Sequence, residues 1–356
     1  MPLDPLFGHA EQRRMLAVAV RSKRLPQVLL VTGQEGVGKQ RFALWLAQLV
    51  LCERPGLEPC GECRPCRLVQ NLAHADVHWF VPIPRPKASD PDKQIEETAE
   101  ALAALMEERR STGRWSTPDG MAIHSMASVR LLQRRASMTS VEGGARVFII
   151  GDADRLVPQE ANPEAANALL KLLEEPPGGT LFVLTTLDPR RVLPTMRSRA
   201  VPVRLGRLPD AEIQKFLSGH PEVDDQVALT SGSIGRAIAE GAGSGEAYRA
   251  AETLLDAVLA GPGPALERAL QQTTFAARGE FAAMLDALAE TLGEAARGAL
   301  GQPVRRTVPQ ALLRHGSPAP LLRAMERVAD AREAASGNVN PQLLLAVLGE
   351  ELAEVL

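Results

Sequence analysis

The stretch QVLLVTGQEGVGKQRFALWLAQLVL, residues 27 to 51, constrains the fold more than any other part of this chain. A β-branched apolar run leads into a loop rich in glycine, and the loop leads into a run with helical apolar spacing. Strand, glycine loop and helix in that order open a parallel α/β unit, whose loop amides converge on a phosphate at the helix amino terminus. Gly33, Gly36, Gly38, Lys39 and Gln40 are therefore the candidate nucleotide-binding residues of this segment. Lys39 adds positive charge at the terminal phosphates. Gln40 stands where such loops carry Ser or Thr to hold Mg²⁺, and it offers only a longer amide carbonyl.

The strand that should complete this site is RVFIIGDADRL, residues 146 to 156. In phosphate-loop ATPases the first acid after that strand helps hold the metal, and the next polarises the attacking water. Gly151 takes the first position and Asp152 the second. The magnesium site is thus altered from both sides. A phosphate cradle for ATP or ADP remains legible, whereas the metal and water geometry of hydrolysis does not.

Four more runs alternate with helical patterns: DVHWFV (76 to 81), ARVFII (145 to 150), TLFVLTT (180 to 186) and AVPVRL (200 to 205). With QVLLVT they make five candidate strands, and the expected fold is a five-stranded parallel sheet covered by helices over residues 1–205. Residues 82–124 open with proline-rich coil, hold a predicted helix at Gln94 to Arg110, and read as an insertion on the surface. Beyond Leu205 the strand patterns stop. Residues 206–245 read as a small helical lid and linker, and 246–356 as an all-α domain.

All four cysteines fall in LCERPGLEPCGECRPC, as Cys52, Cys60, Cys63 and Cys66. Cys-x2-Cys sets two sulfurs on one tight turn, and four thiolates satisfy tetrahedral Zn²⁺, so a closed structural zinc site is expected. Two disulfides or unrelated buried thiols are the competing readings, and a reducing compartment disfavours the first. His74 and His78 lie nearby, but four cysteines already complete the shell, so ordinary packing is expected of both.

A net charge of -3 excludes a chain that grips nucleic acid over its whole surface, and 3% aromatic residues leave few platforms for stacked bases. No apolar run is long enough to cross a bilayer. The start MPLDPLFGHA lacks a basic segment followed by an apolar one, so the chain reads as cytoplasmic.

The stretch NPEAANALLKLLEEPPGGTLFVLTT, followed by LPTMRSRA, resembles the δ′ subunits of the bacterial DNA polymerase III clamp loader. FGHAEQRRMLAVAVRSKRLPQVLLVTG, VRLLQRRASMTSVEGGARVFIIGDADRL and the cysteine module fit the same pattern. The resemblance covers about residues 1 to 240, and the insertion at 82–124 is longer than the family pattern. It implies an AAA+ module with a zinc module at 52–66, a helical lid, and a helical collar through which five subunits form a ring. The partners so implied are the γ/τ and δ subunits, the sliding clamp and primed DNA, with no membrane.

In such a ring each ATP lies between neighbours. The family's Ser-Arg-Cys motif carries an arginine that reaches the adjacent subunit's ATP, and here the motif is Ser198-Arg199-Ala200. The resemblance makes Arg199 the catalytic residue, acting in trans on phosphoryl transfer. By the same resemblance Thr186 is the polar sensor at a strand end, and Arg236 the lid arginine. Asn167 and Glu174-Glu175-Pro176-Pro177 are expected to cap and terminate the helix between them. Arg130, Arg134 and Arg135 fall on about one helical turn. They read either as contacts to DNA phosphate or as a solvated helix face.

No polymerase or nuclease site is apparent, so any polymerase label would describe a holoenzyme that this chain joins. Two other functions fit the same residues: an ATP-hydrolysing γ/τ-type subunit, and a zinc-containing replication or repair scaffold that acts on no nucleotide.

Overall fold

In the computed structural model, the described residues are 5–113, 122–156, 164–220, 223, 232–235, 238, 245–272, 278–304, 308–314, 317–335 and 339–356. They fall in two compact units, Met1–His220 with Gly232–Arg236, and Pro221–Ser231 with Ala237–Leu356. The first begins with α1 (Ala10–Arg21), β1 (Val28–Thr32), α2 (Lys39–Leu51), α3 (Arg64–Gln70) and β2 (Val77–Phe80). It continues through α4 (Pro91–Thr112), α5 (Met126–Ser137), β3 (Arg146–Ile150), a 3-10 turn (Ala153–Leu156) and α6 (Glu164–Glu174). β4 (Thr180–Thr186), α7 (Pro194–Arg197), β5 (Val201–Arg204) and α8 (Asp210–Leu217) complete it.

All five expected strands are present, in one sheet of order β2-β3-β4-β1-β5, and every pairing is parallel. The AAA+ module expected from the resemblance requires such a sheet. Every residue of β3 and β4 is buried. That is why RVFII and TLFVLTT read as continuous runs rather than alternating ones: a central parallel strand is covered on both faces. Phe148 of β3 and Phe182 of β4 stack with ring centroids 5.2 Å apart.

One expectation needs correction, and another gains detail. Of the segment 82–124, read as an insertion on the surface, residues 82–113 and 122–124 are described, and part of them is buried. Ile83 bridges Ile123, and Ile83, Ile95 and Leu102 are buried in the sheet's own core. Ile95, Thr98 and Leu102 recur at helical spacing along one face of α4 and are all buried there. The many acids on its other faces hid that narrow apolar stripe from a reading by composition. Farther along the helix, the buried Arg109 lies over the Trp79 ring at 4.5 Å. Asn167, expected as a cap, sits inside α6 with its side chain in solvent. Termination goes as expected: α6 ends at Glu174, and the backbone of Glu175 donates to Lys171 before the two prolines.

The edge strand β2 is fastened by Asp76, whose carboxylate accepts from the backbone of Val141 (2.8 Å) and Glu142 (2.9 Å) and from the Ser140 hydroxyl (2.9 Å). Burial pushes this carboxyl up, but the Glu142 and Val141 amides and the Ser140 hydroxyl outweigh it and hold the acid below its ordinary range. Among its described residues the second unit has helices and no strand. Helices Gly245–Leu259, Arg278–Ala299, Ala319–Ala334 and Pro341–Val355 are among them, with Leu254, Leu288, Leu321 and Leu345 fully buried between them. No helix among the described residues is long and apolar enough to cross a membrane.

Replacing Asp76 by Ala strands three donors and should lower stability by about 2 kcal/mol, read as a lower urea midpoint at neutral pH. A depressed carboxyl stabilises above its unfolded pKa, and the contribution fades as pH falls through the folded one. The gap between wild type and D76A should therefore narrow below about pH 4. A gap that stays constant down to pH 2 would refute this account of the Asp76 clamp.

Candidate functional site

In a parallel sheet every strand-to-helix loop leaves from the same end, where ligands of open α/β folds bind. Thr32 of β1 pairs with Thr186 of β4 at that end, and Gly151 and Asp152 follow Ile150 on β3. The register therefore gathers the glycine loop, Asp152 and Thr186, though the sequence spreads them over more than a hundred residues.

The loop has the left-handed turns its glycines permit. Gly36 has φ 67° and Gly38, the residue capping α2, φ 97°, a region that side-chain-bearing residues avoid. Lys39 is buried, and its Nζ donates to the carbonyls of Gly33 (3.0 Å) and Gln34 (2.8 Å). Burial pulls its pKa down, and the nearby Asp152, Glu35 and Asp154 oppose that. Asp152 behaves conversely. Burial and the neighbouring Asp154 push it up, and Lys39 and Arg155 pull it back. Its backbone is left-handed, φ 50°, and its amide donates to Thr185 Oγ1 at 3.2 Å.

Gln40 does not face the cradle as a hydroxyl would. Its Nε2 points to Asp152 Oδ2 at 3.5 Å, and its Oε1 is buried with no hydrogen-bond partner. Gln40 and Gly151 at the expected Mg²⁺ position therefore do not fit that ion: the glycine has no ligand atom in its side chain, the Gln40 amide turns its donor to Asp152, and its carbonyl is buried. Thr186 is fully buried, and its hydroxyl donates to Asp154 Oδ1 at 2.6 Å. Asp154 is a residue the motif reading passed over. The Asp152-Ala153-Asp154 spacing was its only signal, and the 3-10 turn folds the second acid back onto the sheet end.

A turn of the expected lid touches the loop from outside. The Gly235 amide donates to Gly36 O (2.9 Å) and the Ser233 hydroxyl to Glu35 O (2.9 Å). Arg236 itself lies outside the described residues.

Arg199 is elsewhere. It follows α7 and precedes β5, at the amino end of the sheet. Its guanidinium pairs with Glu174 at 2.5 Å and donates to Thr195 O at 2.7 Å. Val201 pairs with Leu29, and Arg204 with Thr32, so roughly 10 Å of sheet separates Arg199 from its own cradle before any loop is counted. Arg130, Arg134 and Arg135 do not make one free basic patch. Arg130 is exposed, but Arg134 pairs with Asp92 at 2.5 Å and Arg135 lies over the Phe80 ring at 5.6 Å.

The ligand atoms of Cys52, Cys60, Cys63 and Cys66 all lie within 4.8 Å of one another, and none is bridged. Tetrahedral coordination by sulfur at about 2.3 Å puts neighbouring sulfurs about 3.8 Å apart, and Cys60 and Cys66 stand at 3.9 Å. Backbone amides of Arg54 and Cys60 point at Cys52 Sγ, and that of Cys63 at Cys60 Sγ, each at 3.4 Å. Amides so placed favour thiolates, and this set could hold a metal ion. His74 and His78 take no part: the His74 ring accepts from the Asp76 amide at 3.1 Å, and the His78 ring packs 4.7 Å from that of Phe148.

The family described as DNA polymerase III, delta subunit, matches residues 8–209. The chain is similar to the DNA polymerase III subunit delta′ of Bacillus subtilis, 31% identical over 212 residues, which are 58% of this chain and 52% of that protein. It is similar to the delta′ subunit of Escherichia coli, 28% identical over 249 residues, 68% of this chain and 62% of that protein. A further relative is the DNA polymerase III subunit gamma/tau of Mycobacterium bovis, 29% identical over 216 residues, 60% of this chain and 30% of that one. The chain thus spans between about half and three fifths of the length of these two delta′ relatives.

The thiol cluster makes a direct prediction. Purified under reducing conditions, the chain should carry about one metal ion, and Cys63→Ser should reduce that to well under half and lower the melting temperature. Metal content unaffected by C63S would exclude coordination at this cluster.

Proposed function

We propose that this chain, which belongs to the DNA polymerase III delta-subunit family, acts in DNA replication as a delta′-type subunit of the clamp loader. In this reading it assembles in the cytoplasm with γ/τ and δ subunits into a five-membered ring that loads the sliding clamp on primed DNA. Its contribution to ATP hydrolysis is outward. Arg199 is offered to the ATP of a neighbouring subunit, where a guanidinium delivered in trans offsets the charge that develops on the transferring phosphoryl group.

The placement of Arg199 carries this reading. An arginine at the amino end of the sheet has no path to the cradle at the carboxyl end of the same sheet, so a nucleotide it serves belongs to another chain. Glu174 and the Thr195 carbonyl hold the side chain at the surface, which lowers the entropy lost when it engages. The chain's own ATPase is defective in this reading, since Gln40 and Gly151 replace both magnesium contacts while Lys39, Asp152 and Thr186 remain at the sheet end and Arg236 is the lid residue that the resemblance implies. The region 206–245 acts as lid and linker, and 246–356 as the collar. The ion in the cysteine cluster is Zn²⁺, and its role is structural, because four thiolates leave no coordination position open for chemistry.

A clamp loader reconstituted with Arg199→Ala should lose most of the DNA-stimulated ATPase that depends on the adjoining site, since an arginine finger is worth about 10³-fold or more there. Arg197→Ala, exposed two residues earlier on the same segment, should leave the rate within about twofold of wild type, as surface substitutions generally do. Full activity with R199A would favour the zinc-containing scaffold instead.

A further inference from the structure

Gln40 and Gly151 lie 111 positions apart in sequence and against each other in space. A Cβ built on Gly151 would stand 2.8 Å from Gln40 Nε2, 3.1 Å from its Cδ and 3.2 Å from Val81 Cγ1. The glycine is not there for its backbone, since it is absent from the positions with positive φ. Its requirement is space, and the group that fills the space is the Gln40 carboxamide.

That carboxamide excludes a divalent cation in two ways. Its N–H turns toward the carboxylate of Asp152 and competes for the lone pairs a metal would use. Its Oε1 is buried with no hydrogen-bond partner, whereas Mg²⁺ keeps several waters and demands near-octahedral freedom around it. Reversing the amide would set oxygen against the Asp152 carboxylate, so this orientation is the one the charges select. The phosphate-facing half of the loop is nonetheless retained. Gly36 and Gly38 hold their left-handed turns, and Lys39 has only loop carbonyls to leave. Gly235 and Ser233 tie the carbonyls of Gly36 and Glu35 from the far side, which stiffens the loop in the shape an anion needs.

We propose that this cradle binds a nucleoside polyphosphate as the bare anion, without a divalent cation, the Gln40 carboxamide standing in the cation's place and Gly151 admitting it. The inference rests on the loop being a nucleotide cradle and not on the role of Arg199. With Lys39 and the loop amides as the groups that offset the charge among the described residues, a diphosphate is the better fit, and ADP should bind more tightly than ATP. Gln40 and Gly151 then form one unit. A side chain at 151 requires the Gln40 carboxamide to swing aside and Val81 to yield by a few tenths of an ångström, and in this proposal a small hydroxyl at 40 restores a metal site only when an acid is present at 151.

The experiment titrates the full-length chain with ADP and with ATP by calorimetry, in magnesium-free buffer and again with added Mg²⁺. No chelator is used, so the cysteine cluster stays intact. Wild type should bind ADP in magnesium-free buffer and more weakly once Mg²⁺ is added, because the cation draws ADP into its own complex, whereas the double variant Gln40→Thr/Gly151→Asp should bind about tenfold more tightly with Mg²⁺ than without it. Gly151→Asp alone should lose binding or folding and regain it on adding Gln40→Thr, which thermal melts of each variant will follow. Wild type that binds only with Mg²⁺, wild type that binds neither nucleotide, or additive effects of the two substitutions would each overturn the proposal. None of these outcomes bears on Arg199→Ala in the assembled ring, so the two readings fail separately.

Discussion

Five strands running the same way are the constraint on which everything else in the first unit depends. Parallel pairing sends every strand-to-helix loop to one end of the sheet and every helix-to-strand connection to the other. The glycine loop, Asp152, Asp154 and Thr186 belong to the first kind of connection, and Arg199 to the second. One end of the sheet therefore holds the glycine loop with Lys39, and the opposite end holds Arg199. That polarity follows from backbone hydrogen bonding alone, before any side chain is considered.

At the phosphate end, the altered residues are not simply missing parts. Gln40 fills the room left at Gly151 and spends its donor on Asp152, while the Thr186 hydroxyl is engaged by Asp154. A buried polar group without a partner costs about 1–3 kcal/mol, and most polar groups around this loop have found one within the chain. Gln40 Oε1 is buried without one.

The segment before α5 carries a similar lesson. Its prolines and acids are surface-like, yet Ile83, Ile95 and Leu102 close the core beside the edge strand β2, and Arg109 covers Trp79. An exposed strand edge invites association with other chains. On this side of the sheet the Asp76 clamp holds the loop at 140–142 against the start of the edge strand, and the face of α4 that carries Ile95 and Leu102 packs into the adjoining core. The cysteine cluster, by contrast, needed no tertiary help to be found, because its ligands lie within fifteen residues and their spacing is itself the geometry.

By itself the sequence determined whatever depends on local periodicity and short spacing. The five strands lie within a residue or so of their apolar runs, the glycine loop opens α2, the cysteines gather, and helices follow Leu205. Local patterns report these because the physics that makes them, burial of a stripe or a turn that needs glycine, acts over a few residues. Only the tertiary structure decided which distant residues meet. It set Gln40 against Gly151 and Asp154 against Thr186, buried one face of α4, left Asn167 inside a helix rather than at its cap, and divided Arg130, Arg134 and Arg135 among solvent, Asp92 and Phe80. Such contacts depend on strand order and register, which no single segment encodes, and on one methyl group's worth of space at position 151.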